Sequence, residues 1–280
     1  MKVRVSSDDN IYKMLNHKAT LIRRDLVRMS KGKHLHFGGS LSIVEILVVL
    51  YFHIMRHDPK NPNWVERDRF ILSKGHAVPA LYAVLAEAGY FPVSQLSSFR
   101  ELHSVLQGHP YSKTLGVEAS TGSLGQGLSV GSGMILGARL DGKDYYVYVL
   151  IGDGEANEGA IWEASLFCSS YKLNNLIVIM DRNHFSATGP MKGRVDIDPV
   201  ADKWRAFNWD VLRVNGHSVR ELILAIKKTK KGKKQPSIII AQTVKGKGIS
   251  FMENRAEWHN NKLSEEQYKS ALSELGSVQE

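Results

Sequence analysis

The sequence contains a single cysteine, Cys168, among its 280 residues. An internal disulfide is therefore excluded, and a reducing compartment is favoured. The longest apolar stretch, residues 41–52, is interrupted by Ser42 and Glu45 and is too short to cross a bilayer. No apolar segment follows the charges at the amino terminus, so a secretory signal is not expected. These absences predict a cytoplasmic protein with no membrane partner.

Internal repeats and low-complexity linkers are also lacking, so we expect one domain over residues 1–280, with a helical amino-terminal segment. The formal net charge is +9, and much of the excess lies in the run from Lys227 to Lys234. Neither zinc-finger spacing nor an aromatic RNA-binding signature accompanies this run. We therefore expect a solvated helix end and loop there and no nucleic-acid partner. The positive charge would also suit anionic substrates.

Apolar spacing predicts helices in the first half of the chain and an alternation of strands and helices in the second. The first predicted helices cover residues 9–30, 42–55 (opened by a Ser42–Glu45 capping box), 77–88 and 124–140. Predicted strands at 145–151, 175–181, 209–214 and 237–242 follow, with helices at 157–171 and 219–228. The helix at 157–171 is apolar, and Cys168 is expected to be a packing residue within it.

Four glycines occupy the helix predicted at 124–140, namely Gly127, Gly131, Gly133 and Gly137. Because glycine destabilises a helix, several in one helix indicate close contact with a neighbouring element. Tight packing is expected, and a subunit interface is one place where it could occur.

The predicted strands are continuous apolar runs, which indicates burial on both faces. Strands separated by single helices predict an α/β fold with a doubly wound, mainly parallel sheet flanked by helices. Ligands of such sheets bind at the carboxyl ends of strands. Gly152-Asp153-Gly154 and Asp181-Arg182-Asn183 both follow predicted strands.

These two motifs predict a magnesium diphosphate site. Mg²⁺ takes six oxygen ligands and shares them between protein and phosphate. Asp153 offers a carboxylate and Asn183 an amide oxygen, while a loop carbonyl would supply a third protein ligand. Gly152 and Gly154 would let the backbone approach a diphosphate without a Cβ. A Gly-Asp-Gly alone often makes only a turn, so its place after a buried strand carries the prediction.

A Gly-Asp-Gly followed about thirty residues later by Asn resembles the signature of thiamine-diphosphate enzymes. The strings Gly152–Gly159, Trp162-Glu163-Ala164 and Leu173-Asn174-Asn175-Leu176 resemble transketolases in particular. The resemblance implies a thiamine-diphosphate-binding fold with Mg²⁺ (or Ca²⁺ or Mn²⁺). It also implies that Asp153, Asn183 and the Phe185 carbonyl bind the metal, and that Glu158 lies at an interface with a partner's pyrimidine-binding domain.

Four histidines lie in glycine-rich or helix-leading loops, namely His36, His76, His109 and His259. A lone loop histidine is usually a surface or capping residue. All four nevertheless match strings that transketolases place around the reactive thiazolium carbon, which implies proton transfer to and from sugar hydroxyls. The other histidines match nothing and are expected to be structural.

Two further loops are implied to contact the cofactor. Ser120–Gly127 runs into a helix with N–H groups available for anions, and the resemblance makes Gly122, Ser123 and Leu124 contacts. Lys245, in a loop that lacks the P-loop spacing, resembles a transketolase lysine near the cofactor, although a surface lysine is the alternative. The remaining implied contacts are His76, Asp153, Gly154, Glu155, Asn183 and His259.

The resemblance covers about residues 10–275 but only the diphosphate-binding part of a transketolase. The pyrimidine-binding domain, with the glutamate that activates the cofactor and most sugar-phosphate anchors, would belong to a separately encoded carboxyl-terminal subunit. We expect a heterotetramer with two copies of each chain. It would transfer a two-carbon ketol unit from a ketose phosphate to an aldose phosphate.

Two alternatives remain at the level of sequence. A related acyloin-forming or sulfosugar enzyme would share the two-subunit plan, and a non-catalytic module would bind polyanions through its basic surface. A 1-deoxyxylulose-phosphate synthase is less well supported, because the string from Glu155 to Gly159 matches transketolase better. Phe37 and Ser123 stand where proline is frequent in the family, and Phe37 adjoins His36.

Overall fold

The computed structural model describes residues 7–231 and 234–276. Five strands form a parallel sheet in the order β1-β2-β3-β7-β6. They are β1 (Arg69–Leu72), β2 (Val147–Gly152), β3 (Leu176–Arg182), β6 (Asp210–Asn215) and β7 (Ser237–Gln242). A short antiparallel hairpin of β4 (Phe185–Ser186) and β5 (Gly189–Pro190) follows β3. The predicted α/β class with a parallel sheet is confirmed.

Helices cover both faces of this sheet. They are α1 (Ser7–Met29), α2 (Phe37–Leu41), α3 (Val44–Val49), α4 (Val78–Glu87), α5 (Gln126–Leu140), α6 (Gly159–Ser170), α7 (Val200–Ala206), α8 (Val219–Lys230) and α9 (Glu265–Glu274). A π-helical turn (Leu50–Ile54) and 3₁₀ turns (Gly75–Ala77, Val93–Ser98, Glu155–Asn157 and Ala256–His259) complete them. None of the helices formed by the described residues combines the length and the hydropathy of a membrane span.

The central strands are buried on both faces, as their apolar runs predict. Successive residues of a strand point to opposite faces. In β2, Tyr148 and Leu150 join the core shared with α1, α3, α4 and α8, whereas Val147 and Val149 join the core shared with α5, α6 and α7. Cys168 is buried in the second core, which confirms its packing role.

Two local predictions are wrong. Strand β6 lies at one edge of the sheet and exposes its polar Asp210 and Arg213, so the predicted burial on both faces is wrong for this strand. The Ser42–Glu45 capping box does not form. The Ser42 hydroxyl donates instead to Asp181 at 2.7 Å, and Glu45 pairs with Arg23 at 2.7 Å.

The four glycines of α5 differ in their surroundings, and two of them pack closely against described residues. A Cβ at Gly127 would overlap Ser73, and one at Gly131 would lie 2.6 Å from the Val149 side chain. A Cβ at Gly133 or Gly137 would have no described atom within 4 Å. Close packing is therefore confirmed where α5 crosses β1 and β2. Gly133 and Gly137 have no close neighbour among the described residues, and a subunit interface on that side of the helix stays a prediction.

Some sequence predictions fall outside the described residues. Residues 1–6, on which the expectation of no signal peptide rests, are among them, as are Gly232 and Lys233 of the basic run. The flanking Lys228, Lys231 and Lys234 are exposed.

Candidate functional site

The carboxyl ends of β2 and β3 adjoin, since Gly152 is opposite Asp181 in the parallel register. A cavity of about 280 Å³ opens there. Its lining residues are Gly39, Lys74, His76, Leu124, Gly152, Asp153, Gly154, Glu155, Asn183, Phe185, Ser186, Ala187, Thr188, Lys245 and His259. Ten residues that the sequence singles out thus share one cavity: His76, Leu124, Gly152, Asp153, Gly154, Glu155, Asn183, Phe185, Lys245 and His259.

Asp153 is 1% exposed at the end of β2. Its Oδ1 accepts the Gly154 N–H at 2.8 Å, and its Oδ2 accepts the His184 N–H at 2.6 Å and an Arg182 N–H at 3.3 Å. Burial first, and the charge of Asp181 second, raise the pKa of Asp153 above its usual value. A cation placed beside this carboxylate would therefore stabilise its charged form.

Asn183 and Phe185 form the adjacent wall of the cavity. The Asn183 side-chain N–H donates to Asp181 at 2.7 Å, and its Oδ1 accepts the Phe185 N–H at 3.0 Å. These bonds fix the amide orientation and turn the chain into the β4–β5 hairpin. Carboxylate, amide and carbonyl oxygens of the kind that Mg²⁺ prefers are thus available within one cavity.

Beneath these groups, Lys74 and Asp181 form a buried ion pair of 2.5 Å. Lys74 also donates to the Gly39 carbonyl at 2.9 Å, and Asp181 accepts hydrogen bonds from Ser42 and Thr243. Burial alone would raise the pKa of Asp181, but Lys74 and the hydroxyl donors lower it below its usual value. Asp181 therefore remains charged and anchors the floor of the cavity.

Lys245 is 2% exposed, and its ammonium forms no ion pair with any described residue. Its neighbours are neutral acceptors, the Ser186 carbonyl at 3.5 Å and His259 Nδ1 at 3.1 Å. Burial first, and the charge of Lys74 second, lower the pKa of Lys245 to about 8. An uncompensated buried cation is destabilising, so this side chain is suited to an anionic ligand.

We expect Lys245→Met to stabilise the free protein and weaken its binding of diphosphate at least about tenfold, because one charge-assisted contact is lost. The folded-state pKa lies below the ordinary value of 10.5, so the unfolded chain holds the extra proton between about pH 8 and 10.5. Stability of the wild type should therefore rise with pH across that window. The variant should lack this rise.

Calorimetry with inorganic diphosphate and thermal unfolding between pH 7 and 10 measure the two effects. Lys247→Met is the matched control, since Lys247 is partly exposed and pairs with Glu253 at 3.0 Å. Equal diphosphate affinity in the two variants would contradict the role given to Lys245.

The four histidines form one cluster. The ring centroids of His76 and His259 are 5.0 Å apart, and each lies 5.4 Å from His36. His109 is 6.5 Å from His36 on the outer side. Loops that are distant in the sequence therefore bring all four imidazoles together at the mouth of the cavity.

The inner three imidazoles are neutral at pH 7. Burial, followed by the charge of His109, lowers the pKa of His36 to about 4. Burial, followed by the charge of Lys245, lowers the pKa of His259 to about 3. Burial and Lys74 hold the pKa of His76 well below its usual value. Neutral imidazoles can accept protons from hydroxyl groups.

Glu155 connects three segments of the cavity wall. Its carboxylate accepts hydrogen bonds from the Ser73 hydroxyl, the Gly125 N–H at 2.9 Å and the Gly152 N–H at 2.9 Å. The Gly127 N–H donates to Ser73 at 3.1 Å. The expectation of N–H groups free for anions is therefore wrong at Gly125 and Gly127, because protein side chains already bind them.

Other predicted residues lie outside the cavity lining. Gly122 is beside His109, where an added Cβ would lie 3.2 Å from the imidazole, and Ser123 is exposed. Glu158 is exposed at the start of α6. Phe37 is fully buried and packs edge-on against Trp258, with centroids 5.9 Å apart.

The sequence reasoning missed Lys74, Gly39 and the Ser186–Thr188 turn of the hairpin. Lys74 lies within the same Ser-Lys-Gly-His string that singled out His76, so a signal was present. A Cβ at Gly39 would lie 3.3 Å from His76 Nε2 and 3.4 Å from Lys74 Nζ, so a larger residue would crowd two side chains of the cavity.

Comparison with known proteins gives one family. The model described as "Transketolase, thiamine diphosphate binding domain" matches residues 16–280. A 6-deoxy-6-sulfo-D-fructose transketolase subunit of Clostridium sp. (strain MSTE9) is 44% identical over 263 residues, covering 93% of this chain and 96% of that protein. An apulose-4-phosphate transketolase subunit of Phocaeicola vulgatus is 43% identical, covering 88% of this chain and 87% of that protein.

Longer relatives match along only part of their length. Human transketolase is 43% identical over 246 residues, covering 86% of this chain and 38% of that protein. The transketolase structure from Campylobacter jejuni superimposes with a TM-score of 0.89 at 35% identity, covering 94% of this chain and 43% of that one. The chain therefore spans about two fifths of these full-length proteins.

Proposed function

This chain belongs to the transketolase family through its thiamine-diphosphate-binding domain, and we propose from that premise that it is the diphosphate-binding subunit of a two-component transketolase. The observation that carries the proposal is the single cavity in which Asp153, Asn183 and the buried Lys245 converge beneath clustered histidines. The enzyme would transfer a two-carbon ketol unit from a ketose to an aldose. Residues 1–280 would form one domain of that assembly.

The cavity fits a magnesium diphosphate. Asp153, Asn183 and the Phe185 carbonyl would hold the metal, and oxygens of the diphosphate and of water would supply its remaining ligands. This set contains only one carboxylate. Among the described residues, no group of three or more His, Cys, Asp or Glu side chains is placed to hold a metal ion without such amide, carbonyl or diphosphate oxygens. Lys245 would neutralise the diphosphate, and Gly152 and Gly154 would let it approach the backbone.

When bound, thiamine diphosphate would supply a nucleophilic carbon for cleaving the bond beside a ketose carbonyl and for joining the retained two-carbon unit to an aldose. The residues of this chain would position the sugar and move its protons. Neutral His36, His76 and His259 would accept protons from substrate hydroxyls at the imidazole nitrogens and return them. His109 would contact the sugar at the outer side of the cluster, and Gly122, Ser123, Leu124 and Glu155 would complete the cofactor contacts.

A second subunit would complete the active site. Val130 on α5 and Leu166 and Phe167 on α6 are exposed apolar side chains, and an added Cβ at Gly133 or Gly137 of α5 would have no described atom within 4 Å. Glu158 is exposed at the N-cap of α6. We propose that the carboxyl-terminal subunit docks here, supplies the activating carboxylate, and forms a cytoplasmic heterotetramer with two copies of each chain.

The substrate would be a sugar with an anionic end. The relatives named above act, by their names, on a sulfo sugar and on a sugar phosphate. Their identities to this chain, 44% and 43%, do not separate the two chemistries. Sugar phosphates are our proposal, and a sulfosugar is the alternative that the same two-subunit plan would permit.

We expect the purified chain alone to show no ketol transfer and the mixture with its partner subunit to show transfer that requires thiamine diphosphate and Mg²⁺. A coupled assay with phosphorylated and sulfonated ketoses measures this. Turnover by the single chain, free of partner, would contradict the two-component proposal. Salt-sensitive binding of polyanions, without any magnesium-dependent cofactor binding in the mixture, would instead support a non-catalytic module.

A further inference from the structure

Three polar side chains form a hydrogen-bonded network that ends at the loop bearing Lys245. The Val244 N–H donates to His217 Nε2 at 2.8 Å, and His217 Nδ1 lies 3.0 Å from a carboxylate oxygen of Glu45. Because a backbone N–H can only donate, Nε2 is the unprotonated ring nitrogen, and Nδ1 therefore donates to Glu45. Arg23 completes the network through an ion pair of 2.7 Å with Glu45.

The network contacts residues 243–248, here called the Lys245 loop, on both sides of the lysine. On one side His217 binds the N–H of the residue before it. On the other side an Arg23 N–H donates to the Lys247 carbonyl at 2.9 Å. Arg23 belongs to α1 and His217 to the turn between β6 and α8, so segments that are distant in the sequence hold this loop.

Glu45 keeps its charge at the centre of the network. Burial alone would raise its pKa, but the charge of Arg23 and the hydrogen bond from His217 lower it below the usual value. A charged acceptor strengthens the hydrogen bonds that it receives. A buried network in which every member has a partner is rigid. None of these three residues lines the cofactor cavity, so any influence on a ligand there must be transmitted by the loop.

The Lys245 loop requires such support. Gly246 and Gly248 have φ values of +79° and +97°, and glycine has more conformational freedom to lose on folding than other residues. The buried Lys245 ammonium has only neutral acceptors, which favours movement of this side chain towards water. Two backbone bonds oppose that movement, from the Gly246 N–H to the Gly38 carbonyl and from the Asn254 N–H to the Lys245 carbonyl. The bond to His217 is the further restraint that a side-chain substitution can remove.

We propose that His217, held by Glu45 and Arg23, is a positioning residue that fixes the Lys245 ammonium in the cofactor cavity before a diphosphate binds. The inference deepens the function proposed above and rests on it for the identity of the ligand. The positioning itself is a property of the free chain, and it can be measured there.

Acetylation by acetic anhydride, followed by mass spectrometry, tests the position of Lys245 in the chain alone. Lys245 is 2% exposed and should react slowly in the wild type. In His217→Leu it should react about tenfold faster, since the unpaired Val244 N–H favours opening of the loop. Lys74 is also 2% exposed but lies outside the loop, so its acetylation should stay slow. His217→Gln retains an acceptor and a donor and should resemble the wild type.

His57→Leu is the matched control. The ring nitrogens of His57 contact the Tyr51 carbonyl at 2.6 Å and the Tyr90 hydroxyl at 3.1 Å, and neither partner belongs to the loop. This variant also loses two hydrogen bonds but should leave the acetylation of Lys245 slow. Equal acetylation of Lys245 in the wild type and in His217→Leu, or an equal rise in His57→Leu, would overturn the inference.

Binding of inorganic diphosphate, measured by calorimetry, tests whether His217 acts through Lys245. His217→Leu should weaken binding about tenfold, and His217→Gln should restore most of the affinity. In a chain that already carries Lys245→Met, His217→Leu should cost no further affinity. Additive losses in this double variant would contradict positioning of the lysine. Faster acetylation of Lys245 in His217→Leu, in a protein that binds no diphosphate, would refute only the proposed function.

The wild-type chain provides a check that needs no folded variant. Nitrogen-15 NMR of the His217 ring should show a proton on Nδ1 and none on Nε2, as the bonds to Glu45 and Val244 require. A proton on Nε2 instead of Nδ1 would exclude the bond to the loop and with it the positioning role.

Discussion

Asp153→Asn is expected to lower the apparent affinity for Mg²⁺ with thiamine diphosphate by at least about a hundredfold, and ketol transfer with it. Removal of a group that merely supports a metal ligand already costs up to about that factor. Asp153 is also the one carboxylate in the proposed ligand set, so the neutral amide would leave the metal with weak protein ligands. Calorimetry and activity as functions of Mg²⁺ concentration measure the loss.

The same substitution should leave the fold intact. Burial and the neighbouring charge of Asp181 raise the pKa of Asp153, so its charge is not stabilising in the metal-free protein. Arg182 would lose a contact of 3.3 Å but keep Asp198 at 2.8 Å. We expect a change in unfolding free energy of about 1 kcal/mol, the size of one hydrogen bond.

Asp202→Asn is the control, since Asp202 lies on the surface in an exposed pair with Arg205. It should change neither metal affinity nor activity. Near-normal cofactor binding by Asp153→Asn would remove the basis of the metal assignment. Unfolding of the variant would show that Asp153 is mainly structural.

Lys74→Met is expected to destabilise the protein by about 3–5 kcal/mol, because it leaves the buried carboxylate of Asp181 without its cation. Both side chains of the pair are almost fully buried, at 3% and 0% exposure. For a chain of this size the melting temperature should fall by about 6–20 °C. Thermal unfolding followed by circular dichroism measures the effect.

Two further variants test whether the loss of stability comes from the unpaired carboxylate of Asp181. Lys74→Met with Asp181→Asn removes both charges and should recover part of the stability. Lys18→Met breaks the more exposed Lys18–Glu87 pair, which is 2.8 Å long, and should cost at most about 1 kcal/mol. If Lys74→Met cost no more than Lys18→Met, the ion pair would not be the support of the cavity floor.

How well the sequence predicted each strand and helix depended on how fully that element is buried. The strand predicted at 237–242 matches β7, and that at 175–181 differs from β3 by one residue at each end, because strands buried on both faces are apolar throughout. Edge strand β1 and helices α7 and α9 were not predicted. They are short or carry many polar residues, so their apolar pattern is weak.

The capping box shows why a local motif can mislead. Ser42 and Glu45 have the right spacing, but their side chains bind Asp181 and Arg23, which are remote in the sequence. A buried carboxylate competes strongly for a nearby hydroxyl. Local spacing contains no information about such a competitor.

By itself, the sequence determined the alternation of strands and helices, the position of the Asp153 and Asn183 motifs after strands, and the family resemblance. These are properties of short segments, since apolar runs and loop motifs are local. Only the tertiary structure decided that Lys74 pairs with Asp181, 107 residues away, and that Lys245 has no such partner among the described residues. Charge pairing depends on which segments meet in space, and no local pattern specifies that.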